Sequence, residues 1–274
     1  MHVEACCKAL LAHCLPAVDP ERKGMCLDVG VGTFAFYCEQ FARLGFPTVA
    51  VEPLPTTKLR RLCQKNSIPL IESCLSDING DRSLYLGTFA GLFNRNFSSL
   101  SPDWFGSSKT ARQVPSMRLS ALLTQLQAQT LTCLKLDIEG WESTIIEQFV
   151  ELPETLLPKI VMFEYGGGVS RKQAKRGWSP KFLKATLDCL SVLKQCGYSF
   201  SIAIDYTPTD RERIFNLQSS SLEADTLFHE KAVYGNIISF SNWDGSPEEV
   251  ARVCAPYYGG WENTLVTALL SMSR

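Results

Sequence analysis

From residue 24 onward, short apolar and β-branched runs alternate with stretches of helical periodicity, and no other feature of this chain constrains its fold as tightly. Strands are predicted over 25–29, 48–51, 69–74, 131–137, 160–165, 199–205 and 233–240. Helices are predicted between them, over 33–44, 56–66, 119–129, 142–150 and 180–196. Such alternation builds βαβ units, hence an α/β domain around a largely parallel sheet with helices on both faces. Strands covered on both faces read as continuous apolar runs, and most of these do.

Other segments break the rhythm. Asn79-Gly80-Asp81 introduces a hairpin or strand at 83–89, and 91–115 reads as a long Ser/Asn-rich excursion, a lid or a disordered loop. A second loop over 166–178 carries Arg171, Lys172, Lys175 and Arg176, ends at Trp178 and is expected to border the cleft. Residues 216–225 are polar, and Ser246-Pro-Glu-Glu249 has the form of a helix capping box. The domain reading is therefore an N-terminal helical segment over 1–23, the α/β domain over 24–241 and a C-terminal helical extension over 242–274.

Composition narrows the partners. The 274 residues carry 27 basic and 28 acidic side chains, a net charge of -1, which lacks the positive excess that binding to a phosphate backbone uses. No nucleic-acid partner is expected. Eleven cysteines, an odd number placed largely within apolar runs, read as reduced thiols of a cytoplasmic protein. There is no Cys-x-x-Cys pair and there are three histidines, so the spacing of a structural zinc site is missing. Glu4, Lys8 and His13 interrupt the apolar N-terminal stretch, so it does not read as a signal peptide, and no apolar run reaches the ~20 residues of a membrane span.

Two constellations carry chemistry. Asp28-x-Gly30-x-Gly32 ends one strand and opens a helix, where glycine lets a ligand approach backbone N–H groups. Glycine at such a turn also has a purely conformational reading. Glu52 ends the next strand 22 positions after Gly30, the place for a carboxylate that accepts ribose hydroxyls. Asp77, ending the next strand, would reach an adenine amino group. Nicotinamide dinucleotides and S-adenosylmethionine (SAM) share the ribose carboxylate. Ala35 at the third glycine position of the dinucleotide fingerprint, and Asp28 poised for an ammonium group, favour SAM.

The second constellation is Leu134-Lys-Leu-Asp-Ile-Glu-Gly-Trp-Glu142. Asp137 and Glu139 lie two apart at a strand end, so extended backbone would turn both to one face, and Glu164 should end the adjacent strand beside them. Three close carboxylates repel unless a raised pKa, an ion pair to Lys135 or a divalent metal intervenes, which makes Asp137, Glu139 and Glu164 candidate metal ligands. The plainer alternative is that Glu139 caps the helix starting at Trp141 while Asp137 holds a loop. His229 is a candidate general base or a packing residue, and Trp141 and Trp178 could stack on an acceptor.

Taken in order, Leu27-Asp-Val-Gly30, Ala50-Val-Glu-Pro-Leu-Pro55, Leu75-Ser-Asp77 with Asn79-Gly80, Met117-Arg-Leu119, the acidic string 134–142 and Val161-Met-Phe-Glu164 resemble the FkbM-type family of SAM-dependent methyltransferases. The resemblance spans roughly 26–205, and its specific part is Lys-x-Asp-x-Glu-Gly-x-Glu in order with Glu-Pro-x-Pro. It implies a Rossmann-like class I methyltransferase fold, a seven-stranded, mostly parallel sheet with an antiparallel last strand. It implies methyl transfer from SAM to a hydroxyl of a small-molecule or sugar-containing acceptor. Residue by residue it implies Asp28, Gly30, Glu52 and Asp77 around SAM and Asp137 near the methyl, to which Gly32 and Ser76 are added. The catalytic candidates are Asp137, Glu139 and Lys135. Two other classes stay open: an NAD-dependent oxidoreductase, and a non-catalytic nucleotide-binding module, for which Phe34 in place of a glycine is the argument.

Overall fold

The computed structural model describes residues 2–33, 36–89, 92–166, 179–206, 211–229, 232, 234–243 and 245–259. The strands are β1 (Met25–Val29), β2 (Thr48–Val51), β3 (Leu70–Ile71), β4 (Cys74–Leu75), β5 (Gly80–Phe89), β6 (Leu92–Phe93), β7 (Ser107–Met117), β8 (Leu131–Leu136), β9 (Ile160–Gly166), β10 (Phe200–Asp205), β11 (Arg213–Asn216) and β12 (Tyr234–Phe240). The helices are α1 (Val3–Val18), α2 (Tyr37–Arg43), α3 (Thr57–Lys65), α4 (Leu119–Gln125), α5 (Glu142–Ile146), α6 (Pro180–Gln195), α7 (Ala224–Leu227) and α8 (Pro247–Cys254).

One sheet of eight strands runs in the order β11-β10-β12-β9-β8-β1-β2-β3. The pairs from β9 through β8, β1 and β2 to β3 are parallel, while β12 is antiparallel to both β9 and β10. The sheet is thus one strand larger than the seven expected. The addition is β11, which pairs antiparallel with β10 at the edge. Its four residues are partly or fully exposed, so no continuous apolar run announces it in the sequence.

Alternation along the strands builds a separate core on each face. Leu27, Val29, Leu134, Leu136, Val161 and Phe163 pack with residues of α4, α5 and α6. Cys26, Cys133, Ile160, Met162, Ile238 and Phe240 pack with α1, α2 and α8. The described parts of the N- and C-terminal segments therefore share the core of the sheet. Helix starts follow local chemistry: Ser179 Oγ accepts from Phe182 N at 3.3 Å and Ser246 Oγ from Glu249 N at 3.2 Å, each before a proline at the first turn. All eleven cysteines are free thiols, and every one except Cys196 is buried.

Two sequence expectations are corrected. The run 69–74 is not one strand but splits at Glu72 and Ser73, with β3 extending the main sheet and β4 joining a second one. Glu72 turns out to Arg60, with Nη2 to Oε2 at 2.6 Å, and Ser73 Oγ donates to the Pro115 carbonyl at 2.9 Å. The excursion over 91–115 is also more ordered than a loop. β7 pairs antiparallel with β5 and parallel with β4, giving a four-stranded sheet in the order β4-β7-β5-β6. Among the described residues, no helix is long and apolar enough to cross a membrane.

Leu10 on α1 is 0% exposed. Leu10→Ala is expected to lower unfolding free energy by ~2–5 kcal/mol, whereas the same change at Leu92, which is 75% exposed, should have an effect within about 0.5 kcal/mol. Denaturant midpoints of the two variants check this, and equal midpoints would contradict the packing of α1 onto the sheet.

Candidate active site

In an open α/β sheet, ligands bind outside the carboxyl ends of the parallel strands. That edge here carries a cavity of about 470 Å³, in the ~300–1,000 Å³ range of small-molecule sites. Gly30, Gly32, Glu52, Asp137 and Glu139 line it. Asp28, Ser76, Asp77, Lys135 and Glu164 are not on its wall.

The glycine turn is held tightly. Gly30 has φ +73° and donates to the Val51 carbonyl at 2.9 Å, and a Cβ there would lie 1.8 Å from the Asp137 carbonyl oxygen. Gly30 is therefore required by the close approach of the loop after β8 as well as by its backbone conformation. Glu52 closes the turn from the side: its Oε2 accepts from Gly32 N at 3.1 Å and its Oε1 from Leu54 N at 2.9 Å. Burial raises the Glu52 carboxyl above its ordinary range, opposed by those two N–H groups. Val51, Leu54, Cys74 and Leu75 supply apolar walls beside it.

Asp28 and Lys135 lie beneath the turn. They are neighbours in the β1–β8 register and point to the α1/α2 side of the sheet. Asp28 Oδ2 accepts from Cys38 N at 2.8 Å in the first turn of α2, so this carboxylate anchors the helix start instead of facing an ammonium in the cavity. Lys135 Nζ donates to the Gly30 carbonyl at 3.0 Å and lies 3.3 Å from both Asp28 Oδ1 and Asp137 Oδ2. Burial works against its charge, but Asp137, Asp28 and Glu4 outweigh it and hold the ammonium well above its usual pKa. These contacts favour the charged form of Lys135 and suit it to bracing the loops around it.

Ser76 and Asp77 sit elsewhere. Ser76 Oγ accepts from Ile78 N at 3.1 Å and its carbonyl from Gln148 at 2.9 Å, and Asp77 pairs with Arg82 at the surface. The cavity wall there is made by Ser73, Cys74 and Leu75 and not by Asp77, because the strand splits between β3 and β4.

At the other end, β8 stops at Leu136, so Asp137 and Glu139 do not converge by extended backbone. Glu139 takes φ +57°, a left-handed conformation that costs a non-glycine residue on the order of 1 kcal/mol or more. It is clamped there: the Trp104 indole N–H donates to its Oε2 and Ser99 Oγ donates to its carbonyl at 2.5 Å. Glu139 does not cap α5; the turn is held by Glu142, whose Oε1 accepts from Ile138 N at 2.9 Å. The β8–β9 register ends at Leu136 beside Phe163, so one step further sets Asp137 beside Glu164. Carboxylate oxygens of Asp137, Glu139 and Glu164 all lie within 4.8 Å of one another. Burial drives the carboxyls of Glu139 and Glu164 well above their ordinary values, and the neighbouring carboxylates push them further.

Several lining residues were not singled out in the sequence. Glu4 reaches the cavity from α1 and accepts from the Tyr37 hydroxyl at 2.7 Å. Tyr206 follows β10, and Tyr234 opens β12; because β12 runs antiparallel, its first residue lies at the carboxyl edge of the parallel strands. Phe89, Phe97 and Phe105 form an aromatic wall, with Phe89 and Phe97 stacked at 5.5 Å. The only signal for the tyrosines and phenylalanines was their position at strand ends or within the excursion, and Glu4 on α1 had none. His229 contacts the Arg211 carbonyl at 3.2 Å and Trp141 lines a separate depression, so neither borders the cavity. Phe34, Ala35, Trp178 and the basic loop 171–176 lie outside the described residues.

A family model for the methyltransferase FkbM domain matches residues 26–200. The chain belongs to the FkbM methyltransferase family. A comparison with curated proteins returns no match. The FkbM span runs from β1 to the first residue of β10, so the FkbM cavity is completed by Glu4, Tyr206 and Tyr234 from outside it.

Burial raises Glu142 from 4.5 to about 7. The folded state therefore holds this proton more tightly than the unfolded chain, and the resulting stability is full below 4.5 and lost as pH rises through about 7. Glu142→Gln should lose less stability than the wild type across that window, read from urea midpoints on either side of it. Parallel pH profiles would refute the raised pKa.

Proposed function

We propose that the chain is a SAM-dependent O-methyltransferase acting on a hydroxyl of a small-molecule or sugar-containing acceptor. The observation that carries this reading is one cavity lined both by Glu52 with the Gly30–Gly32 turn and by Asp137 with Glu139, the loop after β8 lying directly against Gly30. The Glu52 side suits an adenosine: Glu52 has lone pairs left for ribose hydroxyls beside its bonds to Gly32 and Leu54, and Val51, Leu54 and Leu75 offer apolar faces to a base. SAM, when bound, supplies an electrophilic methyl group on a sulfonium.

The remaining work falls to the protein. Asp137, about 30% exposed in its side chain and fixed by Lys135, is placed to take the acceptor's hydroxyl proton as the oxygen–carbon bond forms and the sulfur–carbon bond breaks. The products are a methyl ether and S-adenosylhomocysteine, with the proton on Asp137. The aromatic wall and the paired Tyr206 and Tyr234 rings, 5.0 Å apart, suit the apolar face of a sugar or ring-bearing alcohol. Holding the hydroxyl in line with the methyl would supply much of the rate.

Calorimetry with SAM and NAD tests the cofactor, and methyl release from labelled SAM tests the chemistry. Glu52→Ala should weaken SAM binding at least tenfold, while Asp137→Asn should bind SAM normally and lose ~10²-fold or more in turnover. Binding of NAD in place of SAM would overturn the reading. Unchanged turnover in Asp137→Asn would remove Asp137 from the mechanism.

A further inference from the structure

We propose that Asp137, Glu139 and Glu164 form a binding site for one hard divalent cation, of the Mg²⁺, Mn²⁺ or Ca²⁺ class, at the reaction end of the cavity. The three residues each bring a carboxylate oxygen within 4.8 Å of the others, on two adjacent strand ends. An all-oxygen, all-anionic donor set selects hard cations over zinc or copper.

A second observation points to a ligand. Glu164 is 4% exposed; the Tyr234 side chain hydrogen-bonds its carboxyl, yet its Oε2 has no hydrogen-bond partner among the described residues. A buried acceptor left unpaired costs on the order of 1–3 kcal/mol, more when charged, so native structures rarely retain one without a role. The available cation does not provide that partner. Lys135 lies 3.3 Å from Asp137 and Asp28, and no salt bridge reaches Glu139 or Glu164 among the described residues. The Trp104 indole satisfies one oxygen of Glu139 and leaves the other. Asp137 and Glu139 also face the cavity, so an ion held here would have acceptor or water in its open positions.

The fit is that of a site waiting to tighten. Adjacent ligands on an octahedral ion with ~2.1 Å bonds lie ~3 Å apart, so binding would draw the three acids together and remove the repulsion among them. The binding site stands on this geometry alone. Its role in orienting and acidifying an acceptor hydroxyl rests on the methyl-transfer reading.

The test uses the full chain after chelator treatment and dialysis, titrated with Mn²⁺ by electron paramagnetic resonance. Thermal unfolding is followed in Mn²⁺, Mg²⁺, Ca²⁺ and a potassium salt of matched ionic strength. One saturable Mn²⁺ site per chain is expected, with an unfolding temperature that climbs with the logarithm of cation concentration. Glu164→Gln keeps the shape and removes one repelling charge. Without cation it should unfold no lower than the wild type, and it should lose at least tenfold in Mn²⁺ affinity. Should that variant fail to fold, the partly exposed Asp137→Asn serves with the same expected loss. Absence of a saturable site, or equal affinity in these variants, would overturn the proposal. SAM titration run separately distinguishes the two readings: cation binding without SAM binding sinks the methyltransferase reading alone, and SAM binding without cation binding sinks the metal site alone.

Discussion

The Lys135 ammonium is the contact on which the rest of the site depends. It joins the Gly30 carbonyl, Asp28 and Asp137 within 3.3 Å, and the Tyr37 ring lies 5.5 Å away. One buried charge therefore couples the glycine turn after β1, the helix start that Asp28 anchors and the acid after β8. Its side chain is 2% exposed, so solvent does not screen these interactions. Such a group is held only while its counter-charges stay in place, and removing one partner of a buried pair is far costlier than never having built it.

The negative charge around this lysine exceeds what it balances. Asp28 and Asp137 take its short contacts, while Glu139 and Glu164 stand close by with their carboxyls pushed towards the protonated form. The β5–β7 ribbon makes this crowding tolerable by clamping the loop from above. Trp104 holds the Glu139 side chain, Ser99 its carbonyl, and a Cβ on Gly140 would meet the Trp104 ring at 2.4 Å. The same excursion reaches the glycine turn, where Asn96 accepts from Thr33 Oγ1 at 3.1 Å. A single insertion thus contacts both the acidic loop and the glycine turn.

The central strands were legible in the sequence because they are buried on both faces: β1, β2, β8 and β9 appear as mostly apolar runs, interrupted by Asp28, Lys135 and Glu164, at the predicted places, within a residue at each end. Glu52, Asp137 and Glu139 were legible as acids at strand ends, and the structure brings them to one cavity. β7 was not, since most of its residues are polar and exposed and its partner β5 is distant in sequence. Ser76 and Asp77 do not line that cavity, since the strand before them splits at Glu72 and Ser73 while the sequence reads as one segment. Glu4 and Tyr234 depend on long-range arrangement: one on how α1 docks, the other on β12 running antiparallel.

If Lys135 braces the site as described, its loss removes the one ion pair to Asp28 among the described residues and leaves this carboxylate, 0% exposed and with no hydrogen bond to Oδ1, with an uncompensated charge. Denaturant unfolding of Lys135→Met, a substitution of similar length, measures this directly. A loss of ~3–5 kcal/mol relative to the wild type is the predicted result. A variant as stable as the wild type would contradict the claim that this buried charge holds the turn, the helix start and the acidic loop together.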